Sequence, residues 1–240
     1  MTLDPRRQRL WTAMGLGPVW QARTPSTPDA AADEPRADRI ARLDWDALVT
    51  EVAQCRACPL GETRRQAVFG VGHRHAEWML VGEAPGAEED ARGEPFVGQA
   101  GKLLTELLGG IGRTRADVYI ANVVKCRPPM NRDPEDDEIS SCMPFLRQQI
   151  EIISPEVIMS LGRISAHTLL GSTSPMSKFS ITRERGKLSE YTVGERSIPL
   201  MPTFHPAYLL RNRSEKKATW QDAQAVLRLL GLAAGTTEAS

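Results

Sequence analysis

Four short apolar runs, separated by stretches with helical periodicity, constrain the fold of this chain more than any other feature. The runs are residues 78–82, 118–124, 157–162 and 198–203. Apolar runs of this length are typical of buried strands. Strands that alternate with helices form a mostly parallel sheet covered by helices on both faces. The pattern therefore predicts an α/β fold with a central, mostly parallel sheet.

The stretches around these runs predict the covering helices. One helix is expected to lead from Leu43 towards Cys55, and another to pass through Ala166 and Leu170. Asp133-Pro134 is a good cap and first-turn pair, so it is predicted to begin the helix after it. The remaining helices are predicted over residues 101–108, 135–153 and 220–230.

Three of the apolar runs lead directly into polar or glycine-rich segments. The segments are Gly82-Glu83-Ala84-Pro85-Gly86, Asn122 with Lys125-Cys126-Arg127, and Phe204-His205-Pro206. In an open α/β sheet the ligand site lies beyond the carboxyl ends of the strands. These segments therefore predict an active site at one edge of the sheet.

The composition along the chain predicts one globular domain with a tail at each end. Residues 1–43 are predicted to be an N-terminal extension and linker, residues 44–232 a globular domain, and residues 233–240 a C-terminal tail. Proline, serine, alanine and charge without large apolar residues are typical of a linker. Trp11 and Trp20 fit either a peptide that binds another protein or a strip that folds back or stays disordered.

Because the positive and negative charges of the chain balance, any contact with a nucleic acid must come from a local group of basic residues. The chain has 30 lysines and arginines and 30 aspartates and glutamates, so its net charge is zero. No apolar run approaches the roughly 20 residues that span a bilayer. No secretory signal is visible near Met1. We therefore expect a cytoplasmic protein that does not bind a membrane, and we predict that it is a monomer.

Four cysteines predict a metal centre. Cys55 and Cys58 form a C-x-x-C pair, while Cys126 and Cys142 lie far downstream. In the cytosol, four cysteines are more often metal ligands than disulfides. One short pair with two separated ligands suits an iron–sulfur cluster better than zinc, which usually takes two short pairs. Zinc and unligated thiols stay open as alternatives on spacing alone.

Taken together, five motifs in order resemble a known family over residues 48–230. The motifs are Gly82-Glu83-Ala84-Pro85-Gly86, Glu88-Glu89-Asp90, Gly93-Glu94-Pro95-Phe96-Val97-Gly98, Asn122-Val123-Val124-Lys125-Cys126-Arg127-Pro128-Pro129 and His205-Pro206-Ala207-Tyr208-Leu209-Leu210-Arg211. With the four cysteines, this series resembles the family 4 uracil-DNA glycosylases of bacteria and archaea. The resemblance implies a three-layer α/β/α sandwich. It also implies hydrolysis of the bond between uracil and deoxyribose in DNA, and a [4Fe-4S] cluster on Cys55, Cys58, Cys126 and Cys142.

The resemblance also implies roles for three residues in binding a flipped deoxyuridine. Phe96 matches the position that stacks on the base, and Asn122 matches the amide that reads its edge. An amide can donate to uracil O4 and accept from N3–H, so it distinguishes uracil from cytosine. His205 matches the histidine that donates to uracil O2 as negative charge develops on the leaving base.

The water side of the reaction is less well defined by the sequence. Related glycosylases have a polar, water-activating residue at the position of Ala84, so Glu83 or Glu89 is expected to share that role. The backbone N–H groups of Ala84 and Gly86 are candidates for binding a uracil carbonyl oxygen. Acidic residues at 88–90 also fit the start of a helix.

Three groups of basic residues flank the predicted site and are expected to contact phosphates. The groups are Lys125, Arg127 and Arg132, then Arg183, Arg185 and Lys187, then Arg211 and Arg213 with Lys216 and Lys217. Leu209 and Leu210 are candidates for an apolar wedge in the DNA. Residues 180–187 contain no histidine, unlike a covalently trapping relative, so turnover is expected.

Two alternatives remain from other functional classes. A non-catalytic iron–sulfur DNA-binding module with a decayed pocket would explain Ala84. An electron-transfer protein would explain the cysteines but not Phe96, Asn122 or His205.

Overall fold

The computed structural model describes residues 5–15 and 34–231, which belong to two compact units. The smaller unit ends at Arg36 and contains helix α1 (Pro5–Ala13), which carries Trp11. The larger unit begins at Ala37. The predictions for Trp20, for the linker before residue 34 and for the C-terminal tail fall outside the described residues.

The described residues contain six strands, which form one sheet. The strands are β1 (Val71–Gly72), β2 (Trp78–Gly82), β3 (Tyr119–Asn122), β4 (Val157–Leu161), β5 (Ser189–Val193) and β6 (Arg196–Thr203). The helices that follow α1 are α2 (Arg36–Ala41), α3 (Trp45–Gln54), α4 (Leu60–Thr63), α5 (Ala87–Arg92), α6 (Gln99–Gly110), α7 (Asp136–Ile153), α8 (Arg163–Leu169), α9 (Ile181–Glu184), α10 (Pro206–Arg211) and α11 (Lys216–Leu229).

The sheet is parallel at its centre and antiparallel at its edges. Its strand order is β1-β3-β2-β4-β6-β5, with β3, β2, β4 and β6 parallel. The prediction of a mostly parallel sheet is confirmed. The edge strands were not predicted because β1 has two residues, and β5 alternates buried and exposed positions instead of forming an apolar run.

Side chains alternate between the two faces of the sheet, and each face is covered by helices. Met79 and Val81 pack in one apolar cluster with residues of α7 and α8. Trp78 and Leu80 pack in a second cluster with residues of α6 and α11. Successive strand residues point to opposite faces, so the central strands are apolar throughout. The fold is a three-layer α/β/α sandwich, as predicted.

The predicted start of one helix differs from the structure. Helix α7 is capped by Glu135 through a capping box with Glu138, not by the Asp133-Pro134 pair. Just before residue 44, where the globular domain is predicted to begin, Ile40 of α2 is fully buried and Arg39 donates to Glu51 at 2.6 Å. Among the described residues, we find no helix with the length and apolar character needed to cross a membrane.

Candidate active site

A cleft of about 640 Å³ opens at the carboxyl ends of the four parallel strands. Each of these strands ends at residues that line the cleft, which explains why distant motifs meet there. The predicted site residues that line it are Glu83, Ala84, Gly86, Glu89, Phe96, Asn122, Arg132, His205 and Arg211. The structure thus brings together the residues predicted for base binding and chemistry.

Phe96 is held in the cleft wall by contacts from both sides of its turn. Its backbone is in the left-handed region, with φ 55°, which is uncommon for a bulky residue. Arg115 donates to the carbonyl of Phe96 at 3.1 Å and to that of Pro95 at 2.7 Å. On the other side, Glu89 Oε1 accepts from the N–H groups of Val97 and Gly98, both at 3.0 Å. These contacts fix the aromatic ring before any ligand binds.

The rings of Phe96 and His205 lie close together in the cleft, with centroids 5.6 Å apart and planes tilted by 33°. Gly82 allows this packing, because a Cβ there would lie 2.6 Å from the Phe96 ring and would also overlap Asn122 Oδ1. A Cβ at Gly162 would lie 2.9 Å from His205 Cβ, and its φ of 98° also favours glycine. Two glycines therefore make room for the aromatic and polar side chains.

Asn122 brings an unsatisfied polar atom to the cleft. Its side chain is 2% exposed, and its Oδ1 has no hydrogen-bond partner among the described residues. Most buried polar atoms in folded proteins have a partner, so an orphaned one calls for an explanation. A ligand N–H that reached this oxygen would supply the missing bond.

His205 is held in one neutral tautomer. Its Nδ1 accepts from the backbone N–H of Ala207 at 3.1 Å, so the proton is on Nε2. Burial, with a contribution from Arg211, lowers the pKa of His205 to about 4, although Glu89 opposes this shift. At neutral pH the imidazole is therefore uncharged, with an Nε2–H available as a donor.

Glu83 is a carboxyl group with an unusual pKa. Burial and the nearby Asp133 raise the pKa of Glu83 to about 7, while Arg163 acts in the opposite direction. Arg163 and Asp133 form an ion pair of 2.7 Å, and both line the cleft. Glu83 can accept a proton near neutral pH. Glu89, in contrast, uses one oxygen to hold the Phe96 turn.

The absence of a polar side chain at Ala84 has a structural reason. The Ala84 methyl packs against an apolar cluster that includes Cys142 and Phe145. Within the described part of the chain, the N–H groups of Ala84 and Gly86 have no hydrogen-bond partner. Both residues line the cleft, so the backbone offers donors where the side chain offers none.

The basic residues divide into those that face the cleft and those that do not. Arg132 and Arg211 line it, and Arg132 is also paired with Glu138 at 2.6 Å. The structure does not support phosphate contacts by Lys125 or Arg185. Lys125 is buried, with Nζ donating to Asn122 O at 2.8 Å. Arg185 is paired with the buried Asp222, to which its Nε donates at 3.0 Å.

The other predicted phosphate contacts lie outside the cleft. Arg183, Lys187 and Arg213 are exposed, and Arg127 is half-buried. The predicted wedge is only half supported, because Leu209 is fully buried in an apolar cluster with Phe204. Leu210 is exposed.

The four predicted metal ligands line a second, separate cavity. Cys55, Cys58, Cys126 and Cys142 meet there, together with Arg64, Lys125 and Phe145. Arg64 Nη1 donates to Cys126 Sγ at 2.9 Å, and the Lys125 N–H donates to Cys142 Sγ at 3.2 Å.

Three or more His, Cys, Asp or Glu side chains do not meet as a group for one metal ion anywhere in residues 5–15 or 34–231. Thiolates on a multi-iron cluster bind different irons, so they lie farther apart than the ligands of a single ion. Four thiols around one cavity, with the Arg64 guanidinium and the Lys125 backbone N–H donating to two of the sulfur atoms, fit such a cluster by their chemistry.

Sequence reasoning missed several residues that shape the cleft. Arg115 is one, since no pattern in the sequence links it to Phe96. Asp133 and Arg163 come from different segments and meet only in the fold. Asn131 and Tyr208 also line the cleft. Their position directly after or within the recognised motifs was the available signal.

The fold and the cleft define a class: an α/β protein whose cleft combines an aromatic ring with hydrogen-bonding groups. The family model of the "Uracil DNA glycosylase superfamily" matches residues 69–225. The chain belongs to this superfamily, and the resemblance drawn from its motifs is confirmed.

Curated relatives narrow the likeness to one branch of the superfamily. The chain is 51% identical over 170 residues to the type-4 uracil-DNA glycosylase of Thermotoga maritima, covering 70% of this chain and 85% of that protein. It is 46% identical over 186 residues to the type-4 enzyme of Saccharolobus solfataricus, covering 77% and 86%. The type-4 enzyme of Archaeoglobus fulgidus is 42% identical over 78% of this chain and 93% of its own length.

Proposed function

We propose that this protein is a uracil-DNA glycosylase, which flips deoxyuridine out of DNA and hydrolyses its N-glycosidic bond. The products are free uracil and an abasic site, as in the first step of base excision repair. The observation that carries the proposal is the orphaned Oδ1 of Asn122 in a cleft that also holds Phe96 and the neutral His205. The curated relatives of the type-4 branch support it.

Base recognition follows from the cleft geometry. Chemistry on a base requires that the nucleotide leave the stack and enter a pocket. In the proposed complex the uracil ring lies on Phe96, whose turn is already fixed by Arg115 and Glu89. Asn122 Oδ1 accepts from uracil N3–H and gains its missing bond. Cytosine has an acceptor at N3, so two acceptors would face each other and cytosine is rejected.

Departure of the base is assisted by His205. As the glycosidic bond breaks, negative charge develops on uracil and positive charge on the sugar. The neutral Nε2–H of His205 donates to O2 of the departing uracil, since Nδ1 is occupied by the Ala207 N–H. The N–H groups of Ala84 and Gly86 are further donors for a uracil carbonyl. These donors are in place before the reaction, so they do not have to reorganise.

Water attack is assigned to Glu83. A group that is to remove a proton near neutral pH needs a pKa near 7, which burial and Asp133 give to Glu83. Its carboxylate orients the water and takes its proton as the bond to the sugar carbon forms. Glu89 serves the reaction indirectly, by holding the turn that carries Phe96.

We assign the second cavity to a [4Fe-4S] cluster held by Cys55, Cys58, Cys126 and Cys142. A bound cluster would join thiolates from the segment after α3, the segment after β3 and helix α7. Its contribution is then structural, because Cys126 follows the strand that ends at Asn122. The groups that bind and release uracil are all outside this cavity.

The partner of the proposed enzyme is uracil-containing DNA. Arg132 and Arg211 at the cleft are the first candidates for phosphate contacts, with Arg127, Arg183, Lys187 and Arg213 farther out. We place the enzyme in the cytoplasm as a monomer, and Trp11 of the N-terminal extension stays a candidate contact for another protein. A non-catalytic module is not favoured, because it leaves the His205 tautomer and the Glu83 pKa without a use.

The test is uracil release from labelled oligonucleotides by the purified protein. Matched strands carry uracil or cytosine at one position, in single- and double-stranded form, and alkali converts abasic sites into strand breaks. We expect breaks at uracil and none at cytosine. Intact uracil strands from a preparation confirmed to contain iron would contradict the proposal.

A further inference from the structure

Met130 is an apolar side chain displayed to solvent at the rim of the cleft. It lies in a turn of residues 127–132, here called the methionine turn, and its side chain is 93% exposed. Among the large apolar residues of the described chain it is more exposed than Met14, Leu10 or Leu188. Exposure of this kind means that the Met130 side chain adds no apolar burial to the fold and is free to contact another molecule.

The backbone of Met130 is a second, independent observation. Its φ is 56° and its ψ is 17°, and the next residue, Asn131, has φ 53°. Asparagine adopts the left-handed region with relative ease, but methionine does so at a cost that glycine would avoid. The position therefore opposes folding both in its backbone and in its side chain. Such strain is found where a site has a use for it.

The methionine turn is rigid. Arg127 Nε donates to Asn131 Oδ1 at 2.7 Å, and the Asn131 N–H donates to Pro128 O at 3.1 Å. At its far end, Arg132 makes two hydrogen bonds to the buried Glu138, of 2.6 and 2.8 Å. The side chain of Met130 is thus presented on a fixed support.

The support lies at the place where DNA would enter. Pro128, Asn131 and Arg132 line the cleft, and Arg127 and Arg132 flank Met130 in the sequence. The wedge predicted at Leu209 is buried and cannot reach DNA. Architectural and base-flipping proteins insert apolar side chains, methionine among them, between base steps. A flexible thioether side chain suits contact with flat, irregular surfaces.

We propose that Met130 enters the base stack of double-stranded DNA beside the flipped nucleotide and occupies the space that the uracil leaves. The inference rests on the proposed glycosylase function and adds the group that opens the duplex. Single-stranded DNA has no paired stack to open. Met130 should therefore matter for duplex substrates and not for single strands.

The experiment compares Met130→Gly with the parent protein on the same uracil oligonucleotide in duplex and single-stranded form. We expect kcat/KM on the duplex to fall about tenfold, because unstacking a base step is costly and an inserted apolar side chain offsets part of that cost. On the single strand the rate should stay within about twofold of the parent. The midpoint of thermal unfolding should not fall, since glycine relieves the left-handed backbone.

Three control variants complete the design. Met130→Leu should keep most duplex activity, because it keeps an apolar side chain. Leu229→Ala removes another exposed apolar side chain, at the end of α11, and should change the rate on neither substrate. Leu210→Ala tests the other exposed wedge candidate and should affect the duplex less than Met130→Gly does.

The outcomes separate this inference from the proposed function. Equal duplex activity of Met130→Gly and the parent would overturn the inference while leaving glycosylase function intact. A duplex-selective loss in Leu210→Ala alone would overturn it as well. Equal losses on duplex and single strand would also contradict it. If the parent released uracil from neither substrate, the proposed function itself would fail.

Discussion

The cysteine cavity and the cleft are both built by segments that are far apart in sequence. They differ in whether their polar groups have hydrogen-bond partners within the protein. In the cysteine cavity, Arg64 donates to Cys126 Sγ and to the carbonyl of Cys55, and the Lys125 N–H donates to Cys142 Sγ. In the cleft, Asn122 Oδ1 has no partner in the described chain, and Phe96 has a left-handed backbone. Satisfied groups stabilise a fold, whereas unsatisfied or strained groups are kept for a ligand. We therefore infer that the cysteine cavity stabilises the fold and that the cleft carries out the reaction.

The largest effect is expected from a substitution in the cysteine cavity. Cys142→Ser should remove a buried ligand from the centre of an apolar cluster, so soluble protein and visible cluster absorption should be lost together. The measurement is the yield of soluble protein with its absorption spectrum. Ser140→Ala, an exposed change in the same helix, is the control and should behave like the parent. Soluble, colourless and fully active Cys142→Ser would show that the cavity does not hold the fold.

The next largest effect should come from Asn122→Ala in the cleft. Uracil release should fall by at least roughly 100-fold, because the edge of the base loses its specific partner. Stability should not fall with it, since the variant removes a buried acceptor that has no partner in the described chain. Single-turnover cleavage and chemical unfolding measure the two quantities. A marked loss of stability with normal cleavage would reverse the assignment of Asn122.

Glu83→Gln tests whether the Glu83 carboxyl group controls the pH dependence of the reaction. With a pKa of about 7 and the carboxylate as the active form, kcat/KM of the parent should rise with pH and level off above 7. The variant should be slow and lack this rise. Glu88→Gln, an exposed change nearby, should keep the parent profile.

The same variant should have the opposite effect on stability. Burial raises the folded-state pKa of Glu83, so the parent loses stability as pH rises from about 4 to about 7. Glutamine does not ionise, so the free energy of unfolding of Glu83→Gln should exceed that of the parent above pH 7. The difference should vanish below pH 4. A constant difference across this range would mean that Glu83 does not titrate as inferred.

A smaller effect is expected from a substitution of Arg115, which supports the wall of the cleft. Arg115→Lys keeps the charge but cannot make all three contacts to residues 94–96, so kcat/KM should fall about tenfold. The loss should largely disappear when Phe96 is already replaced by leucine, as measured in a double-mutant cycle. Arg113→Lys in the same loop is the control. Additive losses in the cycle would show that Arg115 acts by another route.

The smallest effect is expected from the N-terminal extension. Removal of residues 1–33 should leave cleavage of a short oligonucleotide unchanged, because the larger unit begins at Ala37. A deletion through residue 40 would be a poor test, since it removes the buried Ile40 and the Arg39–Glu51 contact. A large drop after removal of 1–33 would show that the extension belongs to the active part of the protein.

Much of the fold could be predicted from the sequence because its central strands are continuous apolar runs. The β2 and β4 runs were predicted almost to the residue. The edge strand β5 could not be predicted, since half of its side chains face solvent. The cap of α7 was placed wrongly because Asp133 pairs with Arg163, which is distant in sequence.

The position of a site residue could be predicted from the sequence when its own segment determines that position. It could not be predicted when the position depends on side chains from distant segments. Asn122 and His205 follow strand ends, so their position in the cleft could be expected. Lys125 follows the same strand, but Gln149 and Asn122 hold it in the interior. Arg185 likewise pairs with Asp222, and Arg115 reaches Phe96 across the fold. A charged side chain carries no sequence signal of which partner it will meet.

The His205→Ala variant tests most directly whether the cleft carries the chemistry and the cysteine cavity the structure. Two properties are measured on one preparation. The account predicts that single-turnover release of uracil falls by roughly 100-fold or more, since the donor to the leaving base is lost. It predicts that iron content and visible absorption stay those of the parent. Near-normal uracil release by His205→Ala, with the cluster intact, would contradict the account.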